Sequence, residues 1–290
     1  MSAVIPQISV GLSIASILLL VALGLAIIYG TMGVINLAHG EFVMLGAYAL
    51  WFLQTYLHIG LVPGLVLVFA LVGLVGFIVE RSIICRLYSR PLDTILATWG
   101  IGIILQQGVR LSAGAELRYV KMPDFLTNPV TIFGYDESAY RIFIFVLAVA
   151  LLVVTYLLIY RTEFGLRLRA VTQNREIARC FGINSGRIYA LTFAYGAGLA
   201  GIAGALVSPL KSVSPDMGTG YVVDAFLVVV VGGVQSLLGT VASSYLIGQS
   251  DGVLAFLSDD TIAKAVVFLG VVVLIRLFPQ GLFAMRVRRS

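Results

Sequence analysis

Charge is what this chain has least of. Only 11% of its 290 residues are Asp, Glu, Lys or Arg, while 60% are hydrophobic and the mean hydropathy is +1.03. No soluble domain of this size needs so much apolar surface. Histidine and cysteine are equally scarce, at two each. Two histidines and no His-Glu-x-x-His helix exclude the usual zinc hydrolase. Cys85 and Cys180 stand alone without metal spacing and read as reduced thiols. No Gly-rich loop ends in Gly-Lys-Ser/Thr, so the chain carries no nucleotide phosphate cradle of its own. Gly-x-Ser-x-Gly is missing too. No Lys or Arg precedes Arg81, so the apolar N-terminal segment lacks the charged start of a cleaved signal peptide and reads as a first membrane span.

What remains is a series of apolar runs. A spanning helix takes roughly 20 apolar residues. Candidate spans cover 8–29, 37–57, 62–80, 94–111, 142–160, 188–207 and 262–278, with a more complicated region at 222–257. The expected fold is all-α: a polytopic integral membrane protein of about eight spanning helices plus interrupted or re-entrant segments, with pseudo-repeats, forming one domain over 1–290.

The basic residues fall mainly in three clusters: Arg81, Arg86 and Arg90; residues 161–187; and Arg276, Arg286, Arg288 and Arg289. Positive charge between spans marks cytoplasmic loops, so the net charge of +5 reads as topology and not as nucleic-acid binding. The central cluster holds Arg161, Arg167, Arg169, Arg175, Arg179 and Arg187 against Glu163 and Glu176. Its length and helical pattern suggest a docking surface for a soluble partner. Residues 112–140, with balanced charge and Pro123, Asn128 and Pro129, read as an ordered external loop. This assignment puts the C-terminus in the cytoplasm. It puts the N-terminus outside if 37–57 crosses fully, whereas a re-entrant segment there would reverse it.

Two interrupted segments stand out. One is Gly30-Thr31-Met32-Gly33-Val34-Ile35-Asn36-Leu37-Ala38-His39-Gly40-Glu41. The other is Val231-Gly232-Gly233-Val234-Gln235-Ser236-Leu237-Leu238-Gly239-Thr240. Glycines and polar groups inside an apolar run, twice over, fit discontinuous helices in two repeats. They also fit helix kinks with close packing through small residues. Ionisable residues within spans are costly and usually functional. Glu41 and Asp224 are therefore pathway candidates, although each also suits a helix cap. Asn36, His39 and Gln235 belong to the two breaks. Thr98 and Gln106 share a face of the fourth span, as pathway groups or as interhelical hydrogen bonds.

Four stretches together resemble the permease subunits of ATP-binding-cassette importers in the branched-chain amino acid and urea family. They are Ile35-Asn36-Leu37-Ala38-His39-Gly40-Glu41-Phe42 with Gly46-Ala47-Tyr48; Arg169-Ala170-Val171-Thr172-Gln173-Asn174-Arg175-Glu176-Ile177-Ala178 with Gly182-Ile183-Asn184; Ala190-Leu191-Thr192-Phe193 through Gly201-Ile202-Ala203-Gly204; and Gly232-Gly233-Val234-Gln235-Ser236 with Gly239-Thr240. Gln235 departs from the smaller residue common there. Within the family the chain is most similar to the urea permeases, through Asp93-Thr94-Ile95-Leu96-Ala97-Thr98-Trp99-Gly100 with Leu105-Gln106-Gln107, Tyr221-Val222-Val223-Asp224-Ala225-Phe226, and Pro279-Gln280-Gly281-Leu282-Phe283-Ala284.

The resemblance implies an inner-membrane transport subunit with no reaction of its own. Arg169, Asn174, Glu176 and Gly182 would lie on the loop that couples it to an ATPase. It implies a homologous second permease, two ATP-binding subunits and an extracytoplasmic solute-binding protein. ATP and magnesium would be used by those ATP-binding subunits, with no cofactor on this chain. Urea is the expected solute, with branched-chain amino acids or short amides as the alternative and a self-sufficient channel as the rival class.

Overall fold

The computed structural model describes residues 4–88, 90–132, 135–234, 236–278 and 281–283. Eleven α-helices run along the described chain: α1 (Val4–Met32), α2 (His39–Leu57), α3 (Leu61–Ser82), α4 (Pro91–Ala113), α5 (Ala139–Arg161), α6 (Glu163–Gln173), α7 (Arg175–Cys180), α8 (Ser185–Val207), α9 (Met217–Gly232), α10 (Leu237–Leu257) and α11 (Asp260–Leu277). The expected external loop carries a small antiparallel hairpin, β1 (Pro129–Ile132) and β2 (Tyr135–Ser138). Most of the rest of the described chain is helical, as a polytopic membrane protein requires.

Four described segments are long and apolar enough to cross a membrane by themselves: Gln7–Met32, Leu61–Arg86, Ala139–Arg161 and Ser185–Val207. They divide by burial. α1 and α8 are 89% and 83% buried over their most apolar windows, whereas α5 is 17% buried. α1 and α8 form the centre, touching where Gly24 and Gly196 meet backbone to backbone. Residues this small let helices approach closely where no water drives association.

The contact pattern repeats. α3 lies along α8 as α10 lies along α1. α2 meets α8 as α9 meets α1. α4 touches α2 as α11 touches α9. The two halves, α1–α4 and α8–α11, also run in opposite senses. α1 ends where α8 begins, since Met32 packs against the cluster of Leu168, Val171, Ile188 and Tyr189. This is the geometry of inverted repeats. The end of the bundle carrying α6, α7 and Arg81 is the arginine end.

Both repeats contain a helix that starts inside the bundle. After α1 the chain doubles back through 33–38, and α2 begins with His39 Nε2 bonded to Val21 O at 3.0 Å, in the middle of α1. α2 then runs to the far end, where Gln54 exchanges two hydrogen bonds with the Lys121 backbone. In place of the span expected at 37–57 stands the 19-residue α2, which starts beside the middle of α1 after the return at 33–38. After α8 the chain doubles back through 208–216, and α9 starts with Gly218 against Gly40. The repeat mate of the first break is therefore 208–216, not the stretch around Gly232 and Gly239. That stretch is the turn between α9 and α10, beside Arg169 and Thr172 at the arginine end, and it matches the turn joining α2 to α3.

Candidate functional site

The two half-helices abut at their N-termini. A Cβ placed on Gly40 would lie 2.1 Å from Gly218 O, and one on Gly218 would lie 2.5 Å from Gly40 O. Backbones this close tolerate only glycine. Helix N-termini leave amide N–H groups without intrahelical acceptors and carry positive potential. Two such ends meeting need acceptors, and the sequence supplies them. Asn36 Oδ1 accepts from Ala38 N at 3.1 Å. Glu41 sits in the first turn of α2 and Asp216 is the N-cap residue of α9, placing negative charge at both ends, although the Asp216 side chain makes no cap hydrogen bond to its helix.

α4 crosses both breaks. Thr98 Oγ1 accepts from Leu37 N at 3.2 Å and donates to Ile95 O at 3.0 Å. Gly102 faces Ala38 and Glu41. Gln106 Nε2 donates to Asp216 Oδ1 at 2.8 Å and to Pro215 O at 3.3 Å. Arg110 closes an ion pair with the same Asp216 oxygen. Farther along, Tyr48 lies within electrostatic reach of Arg118, Asp216 and Arg110, and the Arg118 guanidinium covers the Trp51 ring at 5.0 Å.

The result is a polar seam between α2, α4 and the start of α9, running from the far end of the bundle to its middle. Seven buried side-chain atoms among the described residues have no protein partner. Four belong to this seam: Asn36 Nδ2, Glu41 Oε2, Tyr48 Oη and Arg118 Nε; a fifth, His39 Nδ1, lies on the other side of α2, against Val21 and Gly24 of α1. A carbonyl only accepts, so the His39 proton sits on Nε2 toward Val21 and leaves Nδ1 as a bare acceptor. Buried polar groups are nearly always paired. Polar atoms buried without a protein partner call for a partner that the protein itself does not supply.

Asn36, Glu41, Thr98 and Gln106 thus come together, whereas the His39 ring turns to Val21 and Gly24 of α1. Asp224 lies elsewhere. It falls in the middle of α9, which excludes the capping role, and its carboxylate meets Lys264 of α11 at 3.3 Å. Both line a separate cavity of about 830 Å³ between α1, α9, α10 and α11. Gln235 lies outside the described residues. Sequence reading missed Asp216, Arg110 and Tyr48. Asp216 follows two prolines in what looked like a plain connector, and only Gly218-Thr219-Gly220, echoing Gly40, signalled the second half-helix.

The arginine end is built by caps. Thr162 accepts from Gly165 N and starts α6. Asn174 Oδ1 accepts from Glu176 N and Ile177 N, both at 3.0 Å, and starts α7. α7 stops in a Schellman turn: Ile183 N bonds Ala178 O at 3.1 Å and Gly182 N bonds Arg179 O at 2.9 Å. Gly182 takes φ +79°, which L side chains resist. Arg169 stacks on Tyr160 at 5.4 Å. Glu176 is exposed, as are Ile177 (55%) and Phe181 (82%), so α7 presents an apolar tip with charge around it.

A multi-pass helical bundle with inverted repeats, a polar seam and a protruding capped loop defines a membrane transport subunit. Residues 7–277 match the family described as branched-chain amino acid transport system / permease component, and the chain belongs to that family. It is 30% identical to the high-affinity branched-chain amino acid transport system permease protein BraD of Pseudomonas aeruginosa, over 94% of this chain and 93% of that protein. It is 31% identical to LivH of Escherichia coli, over 94% and 92%. Similarity at 25% extends to E. coli LivM, over 94% of this chain and 69% of LivM. No solved structure matches the chain significantly. The chain is a multi-pass inner-membrane permease of an ABC importer and not an enzyme.

Proposed function

We propose that this permease passes urea or a similarly small amide along the seam between α2, α4 and α9. The carrying observation is the row of unpartnered polar atoms at Asn36, Glu41 and Tyr48 beside the Gly40–Gly218 contact. Urea offers one carbonyl oxygen and four N–H donors in a small plane. Half-helix N–H ends and Asn36 Nδ2 suit the carbonyl, while Glu41 and Asp216 suit the N–H groups. The backbone approach at Gly40 leaves no apolar pocket for a branched side chain. The resemblance to urea permeases over 93–100 and 221–226 supports the same solute.

Branched-chain amino acid uptake is the second reading, favoured by the named activities of BraD and LivH. Uptake of labelled urea and labelled leucine, measured in one strain lacking this gene and complemented with it, separates the two. Restored urea uptake with unchanged leucine uptake supports the first reading, and the reverse result sinks it.

The same proposal places the arginine end in the cytoplasm by the positive-inside rule. The N-terminus and 112–140 then face outward. Arg169, Asn174, Glu176 and Gly182 belong to the segment that seats on an ATP-binding subunit. The working assembly pairs this chain with a homologous second permease, two ATP-binding subunits that consume ATP and magnesium, and an extracytoplasmic solute-binding protein. ATP binding next door would then rock the two repeats about their shared centre.

A further inference from the structure

Behind α7, at its junction with α3 and α8, lies a cavity of about 490 Å³. Three arginines line it: Arg81 from the end of α3, and Arg175 and Arg179 from α7. Arg175 Nε and Arg179 Nε both donate to a single neutral oxygen, Ser185 Oγ, at 3.3 and 2.9 Å, and Ser185 is only 1% exposed. Arg81 Nη1 lies 3.5 Å from where a Cβ on Gly186 would stand, so a third guanidinium sits over the first turn of the 23-residue helix α8. The amides of Ser185 and Gly186 have no intrahelical acceptor at that end, and its potential is positive.

Nothing acidic lines the cavity. None of the three arginines forms an ion pair among the described residues. Glu80, fully buried behind Tyr88, accepts a hydrogen bond from that tyrosine's hydroxyl and lies within electrostatic reach of Arg81 and Arg175. The Arg175 guanidinium is held over the rings of Tyr88 and Tyr189, at 5.0 and 5.4 Å. Aromatic faces explain why that arginine stays in place. Glu80 offsets part of the charge, and three guanidiniums against one buried carboxylate still leave an excess of positive charge at a positive helix end.

We propose that this pocket binds a phosphate-type oxyanion. Donors converge on it from three elements and from different directions. That suits a tetrahedral oxyanion, which takes paired guanidinium contacts together with backbone amides. Free phosphate and a phospholipid headgroup share this chemistry. A bound oxyanion would tie α3, α7 and α8 together at the root of the loop and so set how firmly that loop is seated. The proposal is independent of whether the solute is urea, because its readout below involves no transport.

Cys85 lines the same cavity, whereas Cys180 lies exposed on α7 outside it. The full chain in phosphatidylcholine nanodiscs is treated with N-ethylmaleimide, and the two cysteines are followed separately by peptide mass spectrometry. Inorganic phosphate should slow Cys85 relative to Cys180 by roughly tenfold at ten times its dissociation constant, and chloride at equal ionic strength should not. A second set of discs contains phosphatidylglycerol and no free phosphate. Slowing only there assigns the oxyanion to lipid, and slowing only by free phosphate assigns it to a soluble anion. In Arg81→Gln and Arg179→Gln, phosphate should no longer slow Cys85 relative to that variant's own rate in chloride, which serves as its baseline because a lost guanidinium alters nearby thiol reactivity. Should one variant fail to insert, the other carries the test. Cys85 rates unaffected by phosphate and by phosphatidylglycerol, or full protection in both variants, would overturn the proposal.

Discussion

Gly40→Ala tests the abutting half-helices most directly. The added methyl carbon would stand 2.1 Å from Gly218 O, 2.8 Å from Gly218 C and 3.0 Å from Val222 Cβ, where ordinary contact begins at 3.4 Å. Two of those neighbours are backbone, so no side-chain rotation relieves the clash, and the starts of α2 and α9 must part by more than an ångström. Overpacking of this kind costs about 1–3 kcal/mol. The same separation pulls Glu41 away from Gly218 and Gly102, disordering the seam. Gly218→Ala imposes the mirror-image clash, 2.5 Å from Gly40 O and 2.9 Å from Glu41 Oε2. Both variants should insert, melt at lower temperature and lose most uptake per inserted molecule. Since either substitution alone opens the same gap, the double variant should cost less than the sum of the singles, by about 0.5 kcal/mol or more. Gly100→Ala is the control: it lies on α4 with nothing within 4 Å, and its loss of backbone freedom should be neutral or stabilising by up to about 1 kcal/mol. Wild-type melting and uptake in Gly40→Ala would refute the contact and the site built on it.

Gly182→Ala should strain the left-handed residue that ends α7 by about 1–2 kcal/mol; solute-stimulated ATP hydrolysis by the assembled importer should fall while membrane insertion holds, and Gly182→Asn should be milder. Asp224→Leu removes the partner of a Lys264 side chain that is 54% exposed, so the stability loss should stay within about 1 kcal/mol. Adding Lys264→Leu should recover it, and a large uptake defect not rescued by the second change would move Asp224 onto the solute route. Reconstituted alone in liposomes, the permease should pass no urea above the lipid background, and robust flux there would favour a self-sufficient channel.

The parts legible from sequence were those where composition changes along the chain. Charge between apolar runs located the loop at 161–187, and Asn174 and Gly182 carry their signals in residue type. The break before α2 was visible because Asn36, His39 and Glu41 interrupt an apolar run. Its mate at 208–216 was not, because Pro209, Lys211 and Pro215 look the same in a surface connector as in a segment returning into the bundle. Depth is set by packing against Gly40, and hydropathy does not record it. For the same reason the central role of α1 was hidden. Its Leu, Val and Ala content resembles that of α5, and lipid and protein core are equally apolar solvents for such a helix.

The seam's acids follow partly from the fold and only partly from the solute. Two helices that begin against one another bring like partial charges together, and carboxylates at helix N-termini offset that by about 0.3–1 kcal/mol each, more when partly buried. Glu41 and Asp216 stand where that requirement falls, one per repeat. Asp216 is further held by Gln106 and Arg110, so its charge is largely committed. Glu41 has no such cation and keeps a buried unpartnered oxygen, so on the proposed route it would be the acidic acceptor for the solute. On the proposed route, selectivity would rest on the neutral groups Asn36 Nδ2 and Tyr48 Oη. A neutral amide satisfies these without bringing a net or zwitterionic charge into the seam. An amino acid would have to place its ammonium and carboxylate between Glu41 and the Arg110–Asp216 pair, breaking that pair to bind. This asymmetry is why Glu41→Gln, which keeps the shape and removes the charge, should spare urea more than any cationic amide.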